Sequence, residues 1–165
     1  MSNHPYDVLD VPGSAAKLIF TPCPGSKDTS VDEALATLQA AGAEALITLM
    51  PAEELARNEA TQLSQLCDER NLEWFHLPVA DEQVPLADFD QAWGQSAARI
   101  NELLNAGKSV AVHCKGGSGR TGLIAARILM DREVPRETAI TSVQALRPKA
   151  IQHPAHLSWI ERFGE

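Results

Sequence analysis

The chain has 165 residues, 44% hydrophobic and 22% charged, with a formal net charge of −8. This is the composition of a globular protein long enough to bury a core, and it excludes low-complexity and collagen-like chains. An acidic surface repels RNA and anionic lipid at long range, so no nucleic acid and no membrane is expected as a partner.

Residues 1–16 read as an irregular arm of a single domain over 1–165, because Pro5, Pro12 and Gly13 are turn formers. Lys17 to Thr21 is a short strand, stopped by the turn Thr21-Pro22-Cys23-Pro24-Gly25. Ser30 and Glu33 have capping-box spacing, and Val31, Ala34, Leu35 and Leu38 follow at helical intervals. Gly42 stops that helix, and Ala45 to Leu49 is a buried strand ended by Pro51. A helix is expected over 58–70 through Leu63, Leu66 and Cys67. Glu73 to Leu77 is the next strand, and a polar loop carries Asp81, Glu82 and Pro85. Phe89, Trp93, Ala97, Ile100 and Leu104 line one face of a long helix ending at Gly107. Ser109 to His113 is a strand, followed by a glycine-rich loop and a helix from about 120 to 130. Pro135 opens a helix stopped by Pro148, and a last helix covers 154–163. Alternating strands and helices predict an α/β fold: a central, mostly parallel sheet of four to five strands with helices on both faces.

The chemistry concentrates in one loop, His113-Cys114-Lys115-Gly116-Gly117-Ser118-Gly119-Arg120-Thr121. A strand that turns tightly into a helix aims successive backbone N–H groups at one spot, which makes an anion cradle. Gly116, Gly117 and Gly119 allow backbone angles and close approach that side chains would block. Arg120 adds a two-pronged donor for phosphate oxygens. Cys114 sits at the strand end, where amide dipoles and Arg120 favour its thiolate as a nucleophile. The basic residues Lys115, Arg120, Arg147 and Lys149 gather around this segment. A nucleotide-binding loop is excluded, because no lysine follows the final glycine. No metal and no cofactor is required, since the loop itself neutralises the phosphate.

Three cysteines, Cys23, Cys67 and Cys114, are too few for a disulfide framework and fit a reducing compartment. Met1 to Asp10 has no apolar core of a signal peptide, and no apolar stretch reaches membrane-spanning length. A cytoplasmic location is expected. Cys67 reads as apolar filler on its helix; Cys23 stays open between filler and redox partner of Cys114.

The loop resembles the signature His-Cys-x5-Arg-Ser/Thr of the protein tyrosine phosphatase superfamily. Three further stretches resemble the kinase-associated phosphatase group of small dual-specificity enzymes. They are Pro22-Cys23-Pro24-Gly25-Ser26-Lys27-Asp28, His76-Leu77-Pro78-Val79-Ala80-Asp81, and Leu146-Arg147-Pro148-Lys149-Ala150-Ile151-Gln152. The resemblance implies a phosphatase for phosphoproteins, on phosphotyrosine and also phosphoserine or phosphothreonine, working through a phosphocysteine. It implies Cys114 as nucleophile and Arg120 as phosphate ligand, with Lys115, Gly116, Gly117, Ser118 and Gly119 completing the cradle. Thr121 would assist breakdown of the intermediate, His113 would order the loop, and Gln152 would place the hydrolytic water. Asp81 is the implied general acid, with Glu82, Asp88 and Asp90 as alternatives. His156 stands where the group often has a second glutamine; with His153 it reads as a surface residue. A phosphoinositide or RNA 5′-phosphate substrate, and a phosphoprotein-binding pseudophosphatase, are the rival readings.

Overall fold

The computed structural model describes residues 4–27, 29–81 and 83–163; Asp28 and Glu82 lie outside the described residues. Strands β1 (Asp7–Asp10), β2 (Lys17–Thr21), β3 (Ala43–Thr48), β4 (Glu73–His76) and β5 (Ser109–His113) form one sheet in the order β1-β2-β5-β3-β4. The inner pairs are parallel, and β1 runs antiparallel to β2. The α/β expectation holds. The arm expected to be irregular is corrected: Asp7 pairs with Phe20 and Asp10 with Lys17. The turn formers close a hairpin, with Gly13 at φ +78°. The strand between them is hard to see in sequence because it is a mostly exposed, acid-flanked edge.

Seven helices are described: α1 (Val31–Ala40), α2 (Ala52–Arg57), α3 (Leu63–Glu69), α4 (Ala87–Asn105), α5 (Gly119–Asp131), α6 (Arg136–Leu146) and α7 (Pro154–Ile160). Period-two alternation in the strands sorts them into two layers. Leu18, Phe20, Ala45, Ile47, Val110 and Val112 face one core with Phe89, Leu104, Leu123, Val143 and Trp159 of α4 to α7. Ile19, Leu46 and Ala111 face the other, with Leu35, Leu38, Leu63 and Cys67 of α1 and α3.

Ser30 and Glu33 cap α1 reciprocally, as their spacing predicts. The helix expected over 58–70 is shorter, α3 over Leu63–Glu69, and a separate helix, α2, precedes it. Pro51 caps α2, acidic Glu53 and Glu54 occupy its first turn, and Arg57 its last. Glu59 then takes φ +56°, which no helix continues through, and α3 starts afresh at Leu63. The last helix ends at Ile160 rather than 163. Among the described residues no helix is long and apolar enough to cross a membrane.

Parallel register brings four polar residues into one row at the C-terminal strand ends. Thr21 and Thr48 both lie opposite His113, and His76 lies opposite Thr48. Open parallel sheets place their sites at this edge.

The helix after the loop is held tightly against α6 and the segment that follows it. A Cβ on Gly122 would lie 2.5 Å from Ala150 Cβ and 3.0 Å from Val143 Cγ1. Gly122→Ala is expected to lose about 1–3 kcal/mol by overpacking. Urea unfolding measures this; an unchanged midpoint would show that the contact yields freely.

Candidate active site

β5 delivers Cys114 to the floor of a cleft of about 620 Å3, lined by Lys115, Gly116, Ser118, Gly119, Arg120 and Asp81 among others. The thiol is only 3% exposed. Its Sγ accepts a hydrogen bond from the Gly117 N–H at 3.3 Å and one from Thr121 Oγ1 at 3.2 Å. Both donors aim a partial positive charge at the sulfur. The N-terminus of α5 adds its dipole at the same cleft.

The loop is braced from two sides. Cys23 N–H donates to Lys115 O at 3.0 Å, and Arg147 Nε donates to Gly117 O at 3.1 Å. Arg147 is itself held by Asp7 of β1, Nη1 to Oδ2 at 2.7 Å. Gly117 has φ +79°, and a Cβ there would sit 2.6 Å from the Thr21 carbonyl carbon. Close approach therefore requires glycine at 117. At Gly116 and Gly119 nothing lies within 4 Å of a built Cβ, so close packing does not explain them. Of the basic residues grouped in the sequence, Lys115 and Arg120 line the cleft, Arg147 braces the loop, and Lys149 does neither.

Arg120 is the hub. Its Nη1 and Nη2 each donate at 2.8 Å to a carboxylate oxygen of Glu54, a residue of α2. Nη1 also donates to Val79 O at 2.9 Å, and Nη2 lies 3.4 Å from Asp81 Oδ1. Burial opposes the guanidinium charge, but the Glu54 hydrogen bonds and the Cys114 and Asp81 charges outweigh it and raise the pKa. Of five N–H groups, Nε and the outer Nη2 proton remain directed to other partners than Glu54 and Val79. These form the two-pronged edge that an anion in the cleft would meet.

Asp81 follows β4 on a loop fixed at two points. Val79 O takes the Arg120 bond, and Gln83 O accepts from His156 Nε2 at 3.0 Å. His156 is thus a buried anchor rather than a surface residue. Burial lowers its pKa, which keeps the ring neutral with Nε2 as its donor. Asp81 itself is well exposed, at 62%, and lines the same cleft as Cys114. Asp88 and Asp90 lie in the first turn of α4, outside the cleft lining.

His113 is wholly buried, and desolvation pushes its pKa down to about 4. A neutral ring has one N–H, and its partners fix which nitrogen carries it. Nδ1 lies 3.1 Å from Cys114 O, an acceptor only, so Nδ1 is the donor. Nε2 then accepts from Thr48 Oγ1 at 2.8 Å, and Thr48 in turn accepts from Trp74 Nε1 at 2.8 Å. A chain of donors from β4 through β3 thereby sets the Cys114 carbonyl at the start of the loop.

Gln152 is not brought to the cleft; it is exposed and its Nε2 donates to Pro148 O at 3.1 Å. Ile151 before it holds φ +55° although β-branched, which turns the chain sharply there. Cys23 and Cys67 are buried, and desolvation pushes both thiols up to about 12, helped at Cys23 by the charges of Glu54 and Cys114. Sequence reading misses Glu54, Thr48, Trp74 and the His156 anchor. For Glu54 a signal exists: Pro51 followed by two acids and Arg57 is a helix-start pattern.

The model of a family described as polymorphic toxin system, DSP-PTPase phosphatase, matches residues 23–133. Compared by sequence with curated proteins, the chain matches none. Among solved structures it is similar to kinase associated phosphatase with its catalytic-site cysteine replaced by serine. Identity is 22%, over 98% of this chain and 94% of that one, with a TM-score of 0.85. Tk-PTP in its active form is 23% identical over 94% of each chain, with a TM-score of 0.69. Human DUSP28 is 20% identical over 98% of this chain and 95% of that one, with a TM-score of 0.64. At such identities the likeness concerns the fold.

Glu54→Ala leaves the buried Arg120 charge without its partner and is expected to cost about 3–5 kcal/mol in urea unfolding. A loss below about 1 kcal/mol would mean that Arg120 finds solvent or Asp81 instead. The buried histidine gives a pH signature. Below its ordinary 6.5 the unfolded chain takes up a proton that folded His113 refuses down to about 4. Stability is therefore complete above 6.5 and falls toward 4, by up to about 3 kcal/mol. Urea midpoints at pH 7 and pH 5 should converge in His113→Asn relative to the parent; an equal drop in both would remove His113 as the source.

Proposed function

The chain belongs to the DSP-PTPase phosphatase family of polymorphic toxin systems, and on that premise we propose that it hydrolyses phosphate monoesters of proteins through a phosphocysteine at Cys114. The observation that carries this reading is the shared cleft: Cys114 Sγ under two donors, Arg120 beside it, and Asp81 on the same wall.

The steps follow from that placement. The ester's phosphate oxygens enter the cradle of loop amides and take the edge of Arg120 that Glu54 leaves open. The Cys114 thiolate attacks phosphorus as the P–O bond to the leaving group breaks, and Asp81 supplies the proton that the departing oxygen needs. Charge on the equatorial oxygens is met by donors already in position, so little reorganisation accompanies the transition state. Water then attacks the phosphocysteine and gives its proton back to Asp81. The Thr121 hydroxyl, hydrogen-bonded to Sγ, stabilises the departing thiolate. Gln152 is given no part, since it is not among the residues that line the cleft and its Nε2 donates to Pro148 O.

Phosphotyrosine is the proposed best protein substrate, with phosphoserine and phosphothreonine also accepted, because a phenolate leaves more readily than an alkoxide. The thiol chemistry needs a reducing compartment, and a cytoplasmic location is part of the proposal.

Asp81→Asn should lower kcat on an alkyl phosphate by about 10²-fold or more. The loss on p-nitrophenyl phosphate should be smaller, because its leaving group needs no proton. Steady-state kinetics on both substrates checks this. Equal losses on the two, or none, would move the acid role to another carboxylate. Cys114→Ser should abolish release of phosphate from both.

A further inference from the structure

We propose that the cleft holds, beyond the phosphate cradle, a second anion subsite formed by Lys27, Arg57 and Lys115. It would select phosphopeptides that carry another negative group, a carboxylate or a second phosphate, beside the residue to be dephosphorylated. The proposal rests on the phosphatase reading and names the substrate class of the same site.

Three observations lead there. The first is convergence. Lys27 comes from the turn before α1, Arg57 from the last turn of α2, and Lys115 from the loop, and all three line the cleft that holds Cys114. The second is charge. The chain has 14 basic and 22 acidic residues, so unpaired basic groups are against its overall balance. Yet none of these three makes an ion pair among the described residues, while Arg120 is already matched by Glu54. Against them, among the described residues, the cleft lining has Glu59 and Asp81 as its acids, and Asp81 lies against Arg120. A phosphorylated residue in the cradle therefore leaves beside it cationic groups with no ion-pair partner among the described residues.

The third observation is shape. The cleft shares Gly25, Asn58 and Glu59 with a groove that continues past Thr29, Ser30 and Gln62 to Leu66. Two grooves adjoining at shared residues suit an extended chain rather than a compact headgroup. Among the described residues the far groove has Asp32 and Glu59 in its lining and no lysine or arginine. RNA, with a charge at every nucleotide, would meet carboxylates there. An anionic bilayer would meet a body of net charge −8. A peptide with one further negative group close to its phosphate fits both the basic near part and the neutral-to-acidic far part.

The test compares two phosphotyrosine peptides that differ only in having glutamate or alanine on either side of the phosphotyrosine, with p-nitrophenyl phosphate as the small reference substrate. Lys27→Ala/Arg57→Ala is the variant, both residues being exposed. The glutamate peptide should have a kcat/KM higher by roughly tenfold at low salt, and the advantage should vanish in the variant and at high salt. Turnover of p-nitrophenyl phosphate should stay unchanged in the variant. Equal kcat/KM for the two peptides overturns the subsite. So does a variant that slows p-nitrophenyl phosphate as much as the glutamate peptide. Preferred turnover of a phosphoinositide or an RNA 5′-phosphate over both peptides overturns it as well. Binding of the same two peptides to Cys114→Ser by fluorescence anisotropy separates the two layers of the account. Should the parent turn nothing over while Cys114→Ser still prefers the glutamate peptide, the phosphatase reading falls and the subsite stands. Equal binding removes the subsite whatever the activity.

Discussion

A buried guanidinium cannot stand alone, and that constraint organises the cleft. Arg120 is 3% exposed, and an unpaired charge at such depth would cost several kcal/mol. Glu54 supplies the partner, which fixes where α2 must lie against the strand ends. The same guanidinium holds Val79 O and approaches Asp81, so the loop carrying the acid is positioned by the residue proposed to bind phosphate. One side chain thus couples three elements, α2, the loop after β4 and the start of α5. Because Glu54 occupies one edge of the fork, the opposite edge is oriented before any anion arrives. Preorganisation of this kind is where electrostatic catalysis gains most.

The loop below is held with equal economy. Its two braces come from opposite ends of the chain: the turn after β2 through Cys23, and Arg147 after α6, the latter itself tied to Asp7. Burial of His113 keeps the ring neutral, and neutrality in turn dictates the tautomer that hydrogen-bonds the Cys114 carbonyl. The donors from Trp74 and Thr48 make the tautomer self-consistent. Nothing in this network carries net charge, so it orders the backbone without competing with the sulfur's own donors.

Legibility from sequence follows the distance over which each feature is encoded. The segment Cys114 to Thr121 holds the proposed nucleophile and cradle, the guanidinium and the hydroxyl within a few consecutive residues, so its local pattern alone points to the proposed chemistry. The buried strands are likewise readable, because β2, β3 and β5 are continuous apolar runs. What escapes depends on register and tertiary contact. Thr48 looks like any strand threonine until parallel pairing sets it opposite His113. Glu54 looks like a solvated helix acid until α2 packs beside Arg120. His156 reads as surface until Gln83 O is found against it. β1 escapes for the reverse reason: as an exposed edge it has no buried run to betray it. Gln152 has its role from the resemblance alone, since it is not among the residues that line the cleft.

The charge distribution completes the picture: an acidic body surrounding a cleft whose floor aims two donors at a sulfur and whose walls carry cations unpaired among the described residues. All of it presupposes that a phosphoryl group passes through Cys114. The most direct measurement is an acid quench during turnover of p-nitrophenyl phosphate, followed by mass spectrometry of the digested protein. The account predicts one phosphoryl group, on the peptide containing Cys114, at a level that rises and decays with turnover. Phosphate released at full rate with no adduct on that peptide, or with the phosphoryl group on a histidine or carboxylate instead, would contradict it.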